Sequence, residues 1–218
     1  MIISHKHKFI FIHINHCGGT SIEDALKPYG RALPHLKDRI GQRHVLDRSL
    51  SINASQHLNA AELRNFYGPE IWNSYFKFAF IANPFDRFIS AYIQRGKMIY
   101  GFRSLLHFIR GGYCNPEKPL RSIHGTAHGS PPARMTQPCL NWLSDKKGEP
   151  LDIDFIGRKE NLIEDFQVVQ SKLGINVELP TKNKTKNKKP YQDYYCKESL
   201  RWTTKRMQKD LDHFGYKF

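Results

Sequence analysis

The chain lacks closely spaced cysteines, long apolar runs, and enough acids to balance its bases. Cys17, Cys114, Cys139 and Cys196 are its four cysteines, far apart and without a C-x-x-C pair. That spacing excludes a disulfide framework and leaves free, partly buried thiols. No stretch approaches the roughly 20 apolar residues that span a bilayer. The opening MIISHKHKFIFIHIN breaks at His13 and a polar loop, unlike a signal peptide. These absences predict a soluble protein of a reducing compartment, taken as cytoplasmic, with no membrane anchor. His124 and His128, in HGTAH, have no Cys, Asp or third His beside them, so no metal site is predicted. With 34 Lys and Arg against 20 Asp and Glu, the formal charge is +14. Such an excess suits an anionic partner: a nucleic acid, a nucleotide, an acidic glycan or a membrane surface.

What is present describes a folding chain. Hydrophobic residues make up 39% and aromatics 12% of 218 residues, enough for one sizeable domain over 1–218, with a second full domain cramped. Residues 8–14 and 75–83 read as buried strands, and IDFIGR (153–158) as a third. Helices are expected over 20–27, over 60–68 ending at Gly68, and from Pro84 to about Lys97. Another follows the third strand, with Leu162, Phe166, Val169 and Leu173 on one stripe and Gly174 as its stop. A last helix carries Leu200, Met207, Leu211 and Phe214. Residues 30–57 are polar and arginine-bearing, and 111–138 are rich in Pro and Gly; both read as irregular. Strands alternating with helices argue for a parallel sheet covered on both faces.

The stretch FIFIHINHCGGTSIEDAL (9–26) has the layout of a phosphate-binding loop between strand and helix. Gly18 and Gly19 let backbone approach an anion, and Thr20 and Ser21 bring hydroxyls to a helix N-terminus, where N–H groups are unpaired and the dipole is positive. A glycine turn with Thr20 as N-cap would also account for CGGTS taken alone. G-x-x-x-x-G-K-[ST] is absent, so this is not a nucleoside-triphosphatase loop.

FIHINHCGGTSI resembles the 5′-phosphosulfate loop of glycan-type sulfotransferases, typically FIHIPKTGGTSI. AFIANPFDRFISAY (79–92) is similar to the segment that holds the 3′-phosphate in that family, usually VRNPFDRLVSAY. IDFIGRKENLIEDF and the tail from Asn183 to HFGYKF resemble two further family blocks, so the likeness spans nearly the whole chain. It implies an α/β, P-loop-like three-layer fold with a central mostly parallel sheet flanked by helices. It also implies 3′-phosphoadenosine 5′-phosphosulfate (PAPS) as sulfuryl donor, a carbohydrate or other hydroxyl-bearing acceptor, and no metal. Gly18, Gly19, Thr20 and Ser21 would surround the 5′-phosphosulfate, with Ser90 and Arg87 at the 3′-phosphate. Both loops would leave the carboxyl ends of sheet strands, where open α/β sheets bind ligands.

Two positions depart from the pattern. The family's loop lysine falls at His16, between Asn15 and Cys17. Sulfuryl transfer builds negative charge on the bridging oxygen, so a fixed cation there stabilises the transition state. Histidine supplies one only when protonated, from an ordinary pKa near ~6.5. The arginine that clamps the 3′-phosphate is Ala82, and losing one charge-assisted contact removes about 1.5–3 kcal/mol.

The acceptor hydroxyl needs a general base. His57, in SQHLNAAEL, stands where related enzymes carry a catalytic histidine; capping the next helix alongside Asn59 would explain it equally. Asp86 is read as pairing with Arg87 or a neighbour. Arg158 and Glu160 line the cleft by family position, or form a structural ion pair. In TKNKTKNKKP (181–190), Lys184 and Lys186 are candidates to replace the charge missing at Ala82, against the plain reading of a solvated loop. Arg39, Arg43 and Arg48 could receive an acidic acceptor. The leading expectation is a PAPS-dependent sulfotransferase; the alternative keeps the fold and binds a nucleotide or acidic glycan without turnover. Nucleic acid is not expected, since no such module is evident and few aromatics accompany the lysines.

Overall fold

A computed structural model describes residues 1–32, 57–97, 104–110, 137–182 and 188–218. The expected irregular stretches at 30–57 and 111–138 fall largely outside these residues. So do Arg39, Arg43, Arg48, His124, His128, Lys184 and Lys186. The chain divides into two compact units. Among the described residues the first holds 1–32, 57–81 and 141–182, and the second 82–97, 104–110, 137–140 and 188–218.

The first unit is built on a five-stranded sheet of order β3-β1-β2-β4-β5. Its strands are β1 (Ile2–Ser4), β2 (Phe9–Ile12), β3 (Arg31–Ala32), β4 (Phe76–Ile81) and β5 (Phe155–Arg158). The three strands expected from sequence are the parallel trio: β2 pairs with β4, placing Phe9 beside Phe76 and Ile12 beside Ala79. β4 in turn pairs with β5, placing Phe78 beside Phe155 and Ile81 beside Arg158. FIFI is apolar throughout and FKFAFI is apolar but for Lys77, as parallel strands buried on both faces require. Phe11 and Phe78 stack across β2 and β4 with ring centroids 5.1 Å apart.

β1 and β3 were not anticipated. β1 folds back antiparallel on β2, and β3 adds antiparallel to β1. The turn between β1 and β2 is HKHK, in which Lys8 takes φ 49. It contains no Gly, Pro, Asn or Asp, so the usual turn residues gave no sign of it. Four of the five strands thereby point one way and β1 the other.

Helices α1 (Gly19–Leu26), α2 (Ala60–Ser74) and α5 (Leu162–Leu173) belong to this unit. Gly68 does interrupt α2, with φ 82 and ψ 165, but Pro69 at once starts another helical stretch, for which its fixed φ is suited. Leu162–Leu173 ends at Gly174 in the left-handed region, φ 62, as the sequence indicated. Lys77 is buried at 3% side-chain exposure, and its Nζ lies 2.7 Å from Asp154 Oδ2.

The second unit is helical: α3 (Pro84–Ala91), α4 (Leu105–Arg110) and α6 (Lys197–Phe214). Asn83 caps α3 by accepting from the Phe85 N–H at 2.9 Å. The expected helix to Lys97 is present, but from Tyr92 onward it is a π-helix. Phe88, Ile89, Tyr92, Leu105, Phe108, Ile109 and Met207 form the core here. Buried Asp210 accepts from the Cys139 and Leu140 N–H groups at 2.7 and 2.9 Å. Burial raises its carboxyl pKa, against the pull of those bonds and of Arg87.

α2 starts with a capping box: Asn59 Oδ1 accepts from the Glu62 N–H at 2.8 Å, and Glu62 Oε2 accepts from the Asn59 N–H at 2.7 Å. Asn59→Ala is expected to lower stability by about 1 kcal/mol, read from the urea midpoint at unchanged m-value.

Candidate functional site

β2, β4 and β5 run parallel, so their carboxyl ends share one edge of the sheet. β2 leaves that edge at Ile12 and turns through 13–18 into α1. The turn rests on two left-handed residues, His16 (φ 63) and Gly18 (φ 81). Gly18 is the N-cap of α1 and offers no side chain. Thr20 is therefore an exposed residue within the first helical turn, not its cap as the simple glycine-turn alternative had it. Two glycines let the helix begin earlier than the hydroxyls. The result is a helix start with small residues around its first N–H groups, where the helix dipole is positive. Ser21 is buried, and its Oγ accepts from the Lys182 N–H at 3.1 Å, which leaves its own proton to donate. Lys182 Nζ also reaches Asp24 Oδ2 at 3.3 Å, bringing the start of the lysine run alongside α1.

Gly19 is where space is tightest. A Cβ there would stand 2.1 Å from Cδ2 of His13, whose ring is 4% exposed. His13 Nδ1 lies 2.9 Å from Glu23 Oε1, on the next turn of α1, and the Met1 amino group meets the same oxygen. His57, just before α2, places Nδ1 3.3 Å from the His13 carbonyl oxygen. Its ring stands edge-on to His13, centroids 4.6 Å apart, and to Trp142 at 6.3 Å. A carbonyl can only accept, so Nδ1 of His57 carries hydrogen and the neutral ring has its lone pair on Nε2. Helix capping falls to Asn59.

In the second unit, Ser90 near the end of α3 meets a lysine that sequence reading passed over. Lys188 Nζ donates to Ser90 Oγ at 2.9 Å and lies 2.5 Å from Asp86 Oδ1. Asp86 thus pairs with Lys188, a neighbour from the lysine run. Lys188 looks like any other lysine of TKNKTKNKKP, and no local signal singles it out. Arg87 is buried, and its Nη1 donates to the Gln137 carbonyl at 2.6 Å. Ala82 is fully buried. In the first unit, the Arg158 N–H is held by Asp165 at 2.5 Å. Among the described residues no group of three His, Cys, Asp or Glu could hold a metal ion, and no helix is long and apolar enough to cross a membrane.

A strand–loop–helix at the carboxyl edge of a mostly parallel sheet lies where open α/β sheets bind their ligands. A sequence profile described as the Sulfotransferase family matches residues 1–217, and the chain belongs to that family. Its chemistry is the transfer of a sulfuryl group. Searches of curated proteins and of solved structures found no match.

Burial holds the His13 pKa well below 6.5, and the charges of the Met1 amino group, His57 and His16 push it the same way. The unfolded chain therefore binds this proton first. The associated stability is complete above pH 6.5 and is lost as pH falls below it. Urea titrations between pH 7 and 5 should show wild type weakening more steeply than His13→Gln, by up to about 1.4 kcal/mol per pH unit.

Proposed function

We propose that the chain, as one sulfotransferase-like domain over 1–218, moves a sulfuryl group from PAPS to a hydroxyl of a carbohydrate or similar acceptor. The observation that carries this reading is the loop 13–21, with its left-handed Gly18 and buried Ser21, beside a His57 whose Nδ1 is committed to the His13 carbonyl. The residues fit the donor's chemistry: N–H groups at the start of α1 and the Ser21 hydroxyl are donors without competing negative charge of their own. Gly18, Gly19, Thr20 and Ser21 receive the 5′-phosphosulfate. Ser90 and Lys188 receive the 3′-phosphate, with Arg87 as a buried cation in the same unit and Lys184 and Lys186 as further charges of the lysine run.

When bound, the donor supplies the sulfuryl group and a phosphate leaving group. His57 Nε2 takes the proton of the attacking hydroxyl as its oxygen bonds to sulfur. His16, as imidazolium, donates to the bridging oxygen as the sulfur–oxygen bond to phosphate breaks. No metal enters this reading.

A second reading, a family member that binds without turnover, is favoured by one observation: the positions of the family's two cations hold a left-handed histidine and a fully buried alanine. Calorimetry with adenosine 3′,5′-bisphosphate addresses both, and an absence of binding at millimolar ligand sinks the first and leaves the second only as an acidic-glycan binder. Lys188→Ala should weaken binding roughly ten- to hundredfold, equivalent to about 1.5–3 kcal/mol. In a PAPS-dependent transfer assay over an acceptor panel, His57→Ala should abolish turnover while nucleotide affinity persists. Binding by wild type with no transfer to any acceptor selects the second reading.

A further inference from the structure

We infer that Asp86 is a positioning residue that also limits how tightly its site binds: it holds Lys188 on Ser90, and its carboxylate competes with the 3′-phosphate for the same ammonium. The nucleotide product is thereby kept loose enough to leave. The inference rests on the reading that Ser90 and Lys188 receive the 3′-phosphate, and every group it uses lies in the second unit. Asp86 and Ser90 stand four residues apart on α3, so they share one face of that helix. Lys188 Nζ meets both: it lies 2.5 Å from Asp86 Oδ1, 2.9 Å from Ser90 Oγ and 3.3 Å from the Asp86 main-chain oxygen. Three acceptors thus face an ammonium that has three hydrogens to give.

These acceptors do different things to a phosphate. Ser90 Oγ accepts from Lys188, which leaves the hydroxyl hydrogen for an anion. The Asp86 carboxylate has no hydrogen to offer, and it cancels the charge of Lys188, so the pair presents no net charge to an arriving phosphate. Any phosphate oxygen that hydrogen-bonds Nζ comes within about 5 Å of Asp86 Oδ1, because both oxygens touch one nitrogen. Like charges that close repel. Side-chain exposures of 16% for Lys188 and 25% for Asp86 confine the pair, so salt screens that repulsion less than it would between free surface charges. Arg87, next in the chain, is buried with its Nη1 on the Gln137 carbonyl. A capping role does not account for Asp86, since Asn83 accepts from the Phe85 N–H. Favouring the α3 dipole or simply holding Lys188 in place would each give it a structural use, but removing either could only weaken nucleotide binding. Competition predicts the opposite sign.

Asp86→Asn separates charge from contact, because the amide keeps an oxygen acceptor for Lys188 and loses the negative charge. In calorimetry on the full chain, adenosine 3′,5′-bisphosphate should bind this variant roughly tenfold more tightly than wild type. The gain should appear in stopped flow as slower dissociation, and it should shrink as salt is raised. Adenosine 5′-phosphosulfate, which has no 3′-phosphate, should gain nothing. Asp86→Ser removes the same charge with a small hydroxyl and serves as the second variant if Asp86→Asn does not fold. Unchanged or weaker binding of the bisphosphate by the folded variant overturns the inference while the nucleotide reading stands on wild-type binding. Equal tightening for both nucleotides also overturns it, since the charge would then act away from the 3′-phosphate. If neither wild type nor variant binds the bisphosphate, the nucleotide reading falls and takes the inference with it.

Discussion

The contact between His13 and Gly19 is the constraint around which the loop edge of the sheet is organised. A buried imidazole on the strand side and a helix start on the other approach so closely that no side chain fits between them. Glycine at 19 is therefore a matter of volume, and at 18 of backbone conformation, φ 81. The two glycines have different causes although they read as one motif. Because the ring also faces Glu23 and His57, an aromatic residue that breaks an apolar run ends up linking β2, α1 and the approach to α2.

A chain with a formal charge of +14 is repelled by itself, and among the described residues three of its lysines meet carboxylates. Lys77 is neutralised by Asp154, Lys182 by Asp24 and Lys188 by Asp86. These pairs differ in kind. Lys77 is buried and its pair ties β4 to the segment leading into β5, so breaking it would strand a charge. Lys182 is half exposed and its pair with Asp24 is correspondingly weak. Lys188, at 16% side-chain exposure, is confined but reachable, and it has a hydroxyl as well as a carboxylate around it. That combination sets Lys188 apart from the half-exposed Lys182.

Much of this was legible in residue order. FIFI and most of FKFAFI read as buried parallel strands because they are apolar on both faces, FIGR read as a third strand, and Gly174 stops its helix where expected. The glycine loop, Ser90 and His57 could be located by pattern. What escaped depended on contacts between distant positions. β1 hides behind a turn without turn residues, and the helix after Gly68 resumes because Pro69 suits a helix start as well as an end. His13 read only as an interruption, since Glu23 lies ten positions on and nothing local announces the pairing. Lys188 could not be told from its neighbours until Asp86 and Ser90 were seen around it.

Gly18 has one further neighbour. A Cβ on it would lie 3.1 Å from Leu162, the first residue of α5, which follows the short turn Lys159–Asn161 after β5. The loop is thus shaped from behind by a side chain far along the chain, and the two positions share a single volume. Among relatives they are expected to co-vary: a bulkier residue at 162 is tolerable only where the loop at 18 has moved. Attempts to graft this loop onto another scaffold would have to carry the 155–166 segment with it, because the loop's form is a property of the pair.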